Sequence, residues 1–307
     1  MLHSILLVLL TLSMFDKWYL DPVVRPVVST PTMRAVFPEG RTEEHFIESA
    51  ALKRRMSYLI HLPPGYDQSG AVRFPVLYLL HGLGGTNTEW PTTGYIGKAD
   101  DLMRSETVDR FIIVMPQGDQ GYWLDQAFGP AWATYVVRDV VGDVDSRFRS
   151  RPDRRYRAVG GLSMGAYGAL HLGMNYTNVF GVIGAHTPTF RDFDGSREWF
   201  GVDMATVQFG ERPYFDKHDP VWLFTNQTDK AKGLIIRVDV GADDQYYTAI
   251  EGFHKLLLTL GVKHEWEAFD GAGHGDLEFW KRHSLPITRF YSDAFRAAGG
   301  PSIALGR

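Results

Sequence analysis

The pentapeptide Gly161-Leu162-Ser163-Met164-Gly165 constrains this chain of 307 residues more than any other stretch. An apolar run of β character, Tyr156-Arg157-Ala158-Val159, precedes it, and a helix-compatible run from Ala166 to Leu172 follows. Gly-x-Ser-x-Gly between a strand and a helix is the setting of a nucleophile elbow, a turn sharp enough to lift the serine oxygen above a sheet. Side chains two residues before or after the serine would collide with their neighbours in such a turn. Glycine carries no Cβ, so Gly161 and Gly165 meet that demand. The same five residues can also form an ordinary glycine-rich loop. What separates the two readings is whether the other parts of a nucleophilic site follow in chain order.

A serine hydroxyl is a poor nucleophile at neutral pH. It needs a base within hydrogen-bond reach, and the base needs an acid to hold its tautomer. After an elbow of this kind the acid and then the base follow, each on a loop after a strand. Gly233 to Val240 reads as a buried parallel strand. Gly241-Ala242-Asp243-Asp244-Gln245 is then a loop at its carboxyl end, where open parallel sheets place ligands. Asp243 and Asp244 compete for the role of acid; the other would hydrogen-bond the loop, as turn aspartates do.

From Tyr247 to Leu260, apolar residues Phe253, Leu256, Leu257 and Leu260 recur at helical spacing, with Gly261 as the stop. Lys263 to Phe269 alternates like a strand and runs into Asp270-Gly271-Ala272-Gly273-His274-Gly275. A histidine in a glycine-rich loop after the last strand is the expected base, which selects His274. His254 and His264 are close in sequence but fall on the helix and the strand.

Acyl transfer builds negative charge on the former carbonyl oxygen, and two backbone N–H groups commonly hold it. One donor is the residue after the nucleophile, Met164. The other comes from a His-Gly loop on an earlier strand. Here Arg73 to Leu80 is that strand, His81-Gly82-Leu83-Gly84-Gly85 is the loop, and Leu83 is the simplest donor. His81 is expected to shape the loop and not to act as a base. A phosphate loop is the rival reading of these glycines, and it fails because no Gly-x-x-x-x-Gly-Lys-[Ser/Thr] is present.

Taken together these pieces resemble the esterase family of α/β-hydrolases that includes S-formylglutathione hydrolase (esterase D), feruloyl esterases and mycobacterial mycolyltransferases. The resemblance covers roughly residues 40–295. It is carried by Tyr58 to Tyr66, Leu79 to Gly85, Ile113 to Pro116, Gly161 to Ala169, Gly241 to Asp244, and Gly273-His274 with Phe279-Trp280. It implies an α/β-hydrolase fold, a mostly parallel central sheet with helices on both faces. It also implies Ser163 as nucleophile, His274 as base, Asp244 as acid, and the backbone of Leu83 and Met164 as oxyanion donors. The activity implied is that of a carboxylesterase working through an acyl-enzyme. Acyl transfer to a sugar or lipid hydroxyl on the same site is the alternative, and a non-catalytic binding module on the same fold is the remaining one. The family often has a second glycine where this chain has Ala166, and a Leu-Ser-Gly sequence where it has Gly184 to Pro188. The chain has no cysteine, which sets S-formylglutathione behind other esters as a substrate.

The remaining sequence bounds organisation and partners. Strands alternating with helical stretches argue for a parallel sheet with right-handed crossovers. Tyr135 to Phe148 reads as a helix before the elbow strand. Residues 186–232 form an insertion rich in aromatics that either caps the site or packs onto the body. Tyr122, Trp123, Phe128 and Trp132 follow the Met115-Pro116 strand, and Trp123 and Trp132 are the candidate substrate-binding walls. A net charge of −4 without a basic block argues against nucleic acid. The chemistry requires no metal and no organic cofactor. Ile5 to Phe15 is too short to span a bilayer yet has the length of a signal-peptide core, although no Lys or Arg precedes it and no Ala-x-Ala site follows. Pro22, Pro26, Pro31 and Pro38 mark an extended linker, so the expected catalytic domain is 41–298, with a short tail to 307. The partner is an ester substrate, small or polymer-linked, and the oligomeric state is not legible.

Overall fold

A computed structural model describes residues 40–299. The N-terminal apolar run, the proline-marked segment up to residue 39 and the tail beyond Gly299 lie outside the described residues. Eight strands form one sheet in the order β1-β2-β4-β3-β5-β6-β7-β8. They are β1 Arg41–Ser49, β2 Arg54–Leu62, β3 Val76–Leu80, β4 Ile112–Pro116, β5 Arg157–Leu162, β6 Val182–His186, β7 Ile235–Gly241 and β8 Glu265–Phe269. β1 runs antiparallel to β2, and β2 antiparallel to β4; every later pairing is parallel.

The strand compositions explain their places. β3, β4 and β6 are buried along their whole length, as strands covered on both faces must be. β1 reads Arg-Thr-Glu-Glu-His-Phe-Ile-Glu-Ser and is only partly buried, which suits an edge strand. On one face Val76, Tyr78, Val159 and Val238 join a single apolar core with Leu170 and Phe253. The opposite face carries Gly160 and Gly184 beneath the C-terminal helix.

Helices fill the crossovers. α1 (Glu89–Thr92) and α2 (Tyr95–Arg104) follow β3. A helical run over 132–147, α3, precedes β5, and its middle, Tyr135–Val140, is wound as a π-helix. α4 (Met164–Asn175) follows the elbow and is buried almost throughout. The segment between β6 and β7 carries α5 (Phe193–Phe200), α6 (Val202–Phe209), α7 (Arg212–Asp216), α8 (Pro220–Asn226) and α9 (Thr228–Ala231). Its aromatics mostly pack inward: Phe193 meets Phe215, Phe209 meets Phe215, and Phe190 and Phe224 meet Phe253. α10 (Tyr247–Thr259) and α11 (Leu277–Ala297) complete the chain order. Among the described residues no helix is long and apolar enough to cross a membrane.

The strand order reverses at β3, which pairs with β4 on one side and β5 on the other. In open α/β sheets the crevice at the carboxyl ends of such a switch point is where ligands sit. The loops leaving β3 and β5, which carry Leu83 and Ser163, open there.

Candidate functional site

Ser163 stands between β5 and α4 with φ 54 and ψ −116, a conformation side chains rarely adopt. The surroundings hold it there. Its N–H donates to the His186 carbonyl at 3.1 Å, and its own carbonyl accepts from Ala166 and Tyr167 at 3.1 Å each. A Cβ at Gly161 would overlap the Gly165 carbonyl, and one at Gly165 would overlap the Leu80 carbonyl. Both glycines are therefore required by close backbone approach.

His274 lies on the loop between β8 and α11, 2.9 Å from Ser163 Oγ through Nε2 and 2.9 Å from Asp244 Oδ2 through Nδ1. Asp244 is buried and its other oxygen accepts the Tyr246 N–H at 2.8 Å. Asp243 is exposed, and its N–H bonds the Ala272 carbonyl, tying the two loops together. Of the two competing aspartates, Asp244 is the one brought to the imidazole. The Tyr246 ring packs edge-on against His274 with centroids 4.8 Å apart.

The loop carrying Leu83 is fastened on several sides. His81 is buried; it accepts the Gly118 N–H at Nε2 and bonds the Gly82 carbonyl at Nδ1. Burial holds this imidazole below its ordinary range despite those bonds, so it is a neutral spacer. The Glu89 carboxylate accepts the Gly82 N–H at 2.6 Å, and the Trp90 indole donates to the Leu80 carbonyl at 3.1 Å. Burial pushes the Glu89 carboxyl up, and the Gly82 bond only partly offsets it. Among the described residues the N–H groups of Leu83 and Met164 donate to no backbone acceptor in the turns and caps.

Trp123 and Trp132 do not line an open wall. They are 2% and 1% exposed. Trp123 lies under the loop that follows β3: its indole donates to the His81 carbonyl at 3.1 Å, and its ring fills the space that Gly118 and Gly168 leave. Trp132 packs against Gly121 and under the Arg54 guanidinium. The slots made by these glycines draw the indoles into the core, which is why neither is exposed. Phe128, by contrast, is 72% exposed.

A second charged cluster sits beneath the elbow. His186 Nδ1 bonds Asp239 Oδ2 at 2.9 Å, Asp239 takes a 2.7 Å bond from Arg237 Nε, and Tyr291 OH is 2.8 Å from His186 Nε2. His186 and Asp239 are wholly buried. Burial alone would raise the Asp239 carboxyl, but His186 and Arg237 hold it below its usual range. Tyr291 reaches His186 through a slot that a Cβ at Gly160 or Gly184 would fill. No motif announces this cluster; the only sign of it in the sequence is that Arg237 and Asp239, two apart in an apolar strand, are charged residues on one buried face.

This sheet, elbow and loop arrangement defines an α/β-hydrolase. The family described as "Putative esterase" matches residues 49–283, and the chain belongs to it. Esterase Rv1288 of Mycobacterium tuberculosis is 31% identical over 169 residues, 52% of this chain. The chain spans about a third of that relative, 35% of its length. A solved ferulic acid esterase superposes with a TM-score of 0.72 at 24% identity, covering 83% of this chain and 99% of its own. The fluorophosphonate-binding serine hydrolase FphF of Staphylococcus aureus superposes with a TM-score of 0.70 at 18% identity, covering 82% and 99%.

Proposed function

We propose that this chain is a serine carboxylic-ester hydrolase in which Ser163 is the nucleophile, His274 the general base and Asp244 the orienting acid. The observation that carries the reading is the continuous pair of 2.9 Å contacts from Ser163 Oγ through the imidazole to Asp244. The Asp244 carboxylate accepts the Nδ1 proton, which leaves the Nε2 lone pair facing the hydroxyl.

As Ser163 Oγ bonds to the ester carbonyl carbon, its proton passes to His274 Nε2. The carbonyl π pair moves onto oxygen, where the N–H groups of Leu83 and Met164 receive it. A donor of that kind is worth about 2.7–4 kcal/mol of barrier. Collapse of the intermediate breaks the carbon–alcohol bond, and His274 returns the proton to the leaving alkoxide. Water then adds to the acyl-Ser163 carbonyl, giving its proton to His274. The second collapse expels Ser163 Oγ, which takes that proton back and frees the carboxylic acid.

The test is labelling with a fluorophosphonate probe beside turnover of a 4-nitrophenyl ester series. Ser163→Ala should lose both the label and the turnover while keeping the native circular-dichroism spectrum. A folded Ser163→Ala protein that still labels or turns over would overturn the assignment.

A further inference from the structure

Arg191, on the loop between β6 and α5, is placed unlike the other arginines near the site. Its Nη1 donates to Tyr122 OH at 2.9 Å and its Nη2 to Tyr246 OH at 3.0 Å. Its guanidinium lies 4.3 Å from the centre of the Trp199 ring, and Trp199 is 61% exposed. Tyr246 also packs on His274, so one aromatic ring separates this cation from the imidazole.

The two hydroxyls orient the guanidinium but do not neutralise it. Among the described residues no carboxylate stands within ion-pair distance of Arg191, whereas Arg197 pairs with Glu211, and Arg237 with Asp239, Glu265 and Glu267. A guanidinium has five donors in a planar fork that matches a carboxylate. Two of its nitrogens are engaged by neutral oxygens, and its carbon lies over the Trp199 ring. The result is an oriented, uncompensated cation one aromatic ring away from the proposed catalytic imidazole.

We propose that Arg191 is the anion subsite of this enzyme and selects esters that carry a carboxylate, the Tyr122 and Tyr246 hydroxyls and Trp199 holding its fork towards the substrate. This rests on the serine-esterase reading above. A neutral clamp joining the inserted helices to the body would use the same tyrosines, but it would not sense the charge of the substrate.

The experiment compares matched pairs of esters. 4-Nitrophenyl hydrogen glutarate against 4-nitrophenyl pentanoate places the charge on the acyl side. The acetate esters of 4-hydroxybenzoate and 4-hydroxybenzamide place it on the alcohol side. The wild type should favour the charged member of one pair about tenfold or more in kcat/KM, expressed mainly in KM, as charge-assisted hydrogen bonds allow. In Arg191→Gln that charged-to-neutral ratio should collapse towards one, and Arg191→Lys should restore part of it. A wild type without preference on either pair, or a ratio unchanged in Arg191→Gln, overturns the proposal. If no ester is turned over, the Ser163 reading has failed instead. Calorimetric binding of glutarate to Ser163→Ala, with and without Arg191→Gln, then decides the matter: equal affinity overturns the subsite, and an Arg191-dependent loss supports it.

Discussion

The Glu89 carboxylate accepts the Gly82 N–H from behind the loop that presents Leu83, while its neighbour Trp90 grips the Leu80 carbonyl on the other side of His81. Two consecutive residues of one short helix thus brace the start of the loop on either side of His81. If the loop presents an oxyanion donor as proposed, Glu89 is a positioning residue, acting through the backbone it holds.

Glu89→Ala should lower kcat on 4-nitrophenyl acetate about tenfold or more with a smaller change in KM, because a misplaced donor fails in the transition state first. Glu89→Gln keeps an acceptor oxygen for the Gly82 N–H and should recover most of the loss. Equal damage from both variants, seen in KM as much as in kcat, would assign Glu89 a purely structural part.

The two neighbouring aspartates should separate cleanly. Asp244→Asn leaves one acceptor oxygen, which the Tyr246 N–H claims, and turns an amide N–H towards His274 Nδ1, so the imidazole takes the wrong tautomer and kcat should fall roughly 10³–10⁴. Asp243→Asn alters an exposed side chain and should stay within about threefold of the wild type. Steady-state turnover of one activated ester measures both, and the reverse pattern would move the acid to Asp243.

Asp219 offers a pH-dependent handle on stability. It accepts the Trp222 N–H at the start of α8, and burial raises its carboxyl from an ordinary 3.8 to about 6. The folded state therefore keeps a proton that the unfolded chain has lost, so stability from this group is intact below 3.8 and falls as pH rises through 6. Asp219→Asn retains the cap and removes the titration. Urea unfolding should show it matching the wild type near pH 4 and exceeding it by about 2–3 kcal/mol at pH 8. An equal gap between the two proteins at both pH values would refute this.

How much of this was legible in advance depended on what each residue answers to. Ser163 and His274 are tied to loop positions by their chemistry, and Gly161 and Gly165 are demanded by backbone contacts, so sequence order alone singles these residues out as candidates. Choosing Asp244 over Asp243 needed either the family pattern or the fold, because both aspartates suit a turn. Trp123 and Trp132 were misread as pocket walls, since an aromatic after a strand carries no mark of which way it faces. Gly118, Gly121 and Gly168 determine that, and they act only once tertiary structure brings them beside the rings. β1 and β2 were hidden for another reason: their turn places Lys53 at φ 52, without a glycine to announce it. The π-wound centre of α3 could not be read at all, because apolar spacing reports a helical face and not its hydrogen-bond register. Arg191 gave no motif; its meaning comes from partners spread over residues 122 to 246.

The slot in which Tyr291 meets His186 ties the floor of the elbow to a helix made 128 residues after Ser163. Translation runs at about 5–20 residues per second, so a ribosome needs roughly 6–25 s to travel that far. During that interval the Ser163 turn exists without the phenol that completes the support below it, and His274 itself follows only 111 residues after Ser163. Synthesis itself thus leaves the elbow without its buried brace until the last helix is in hand.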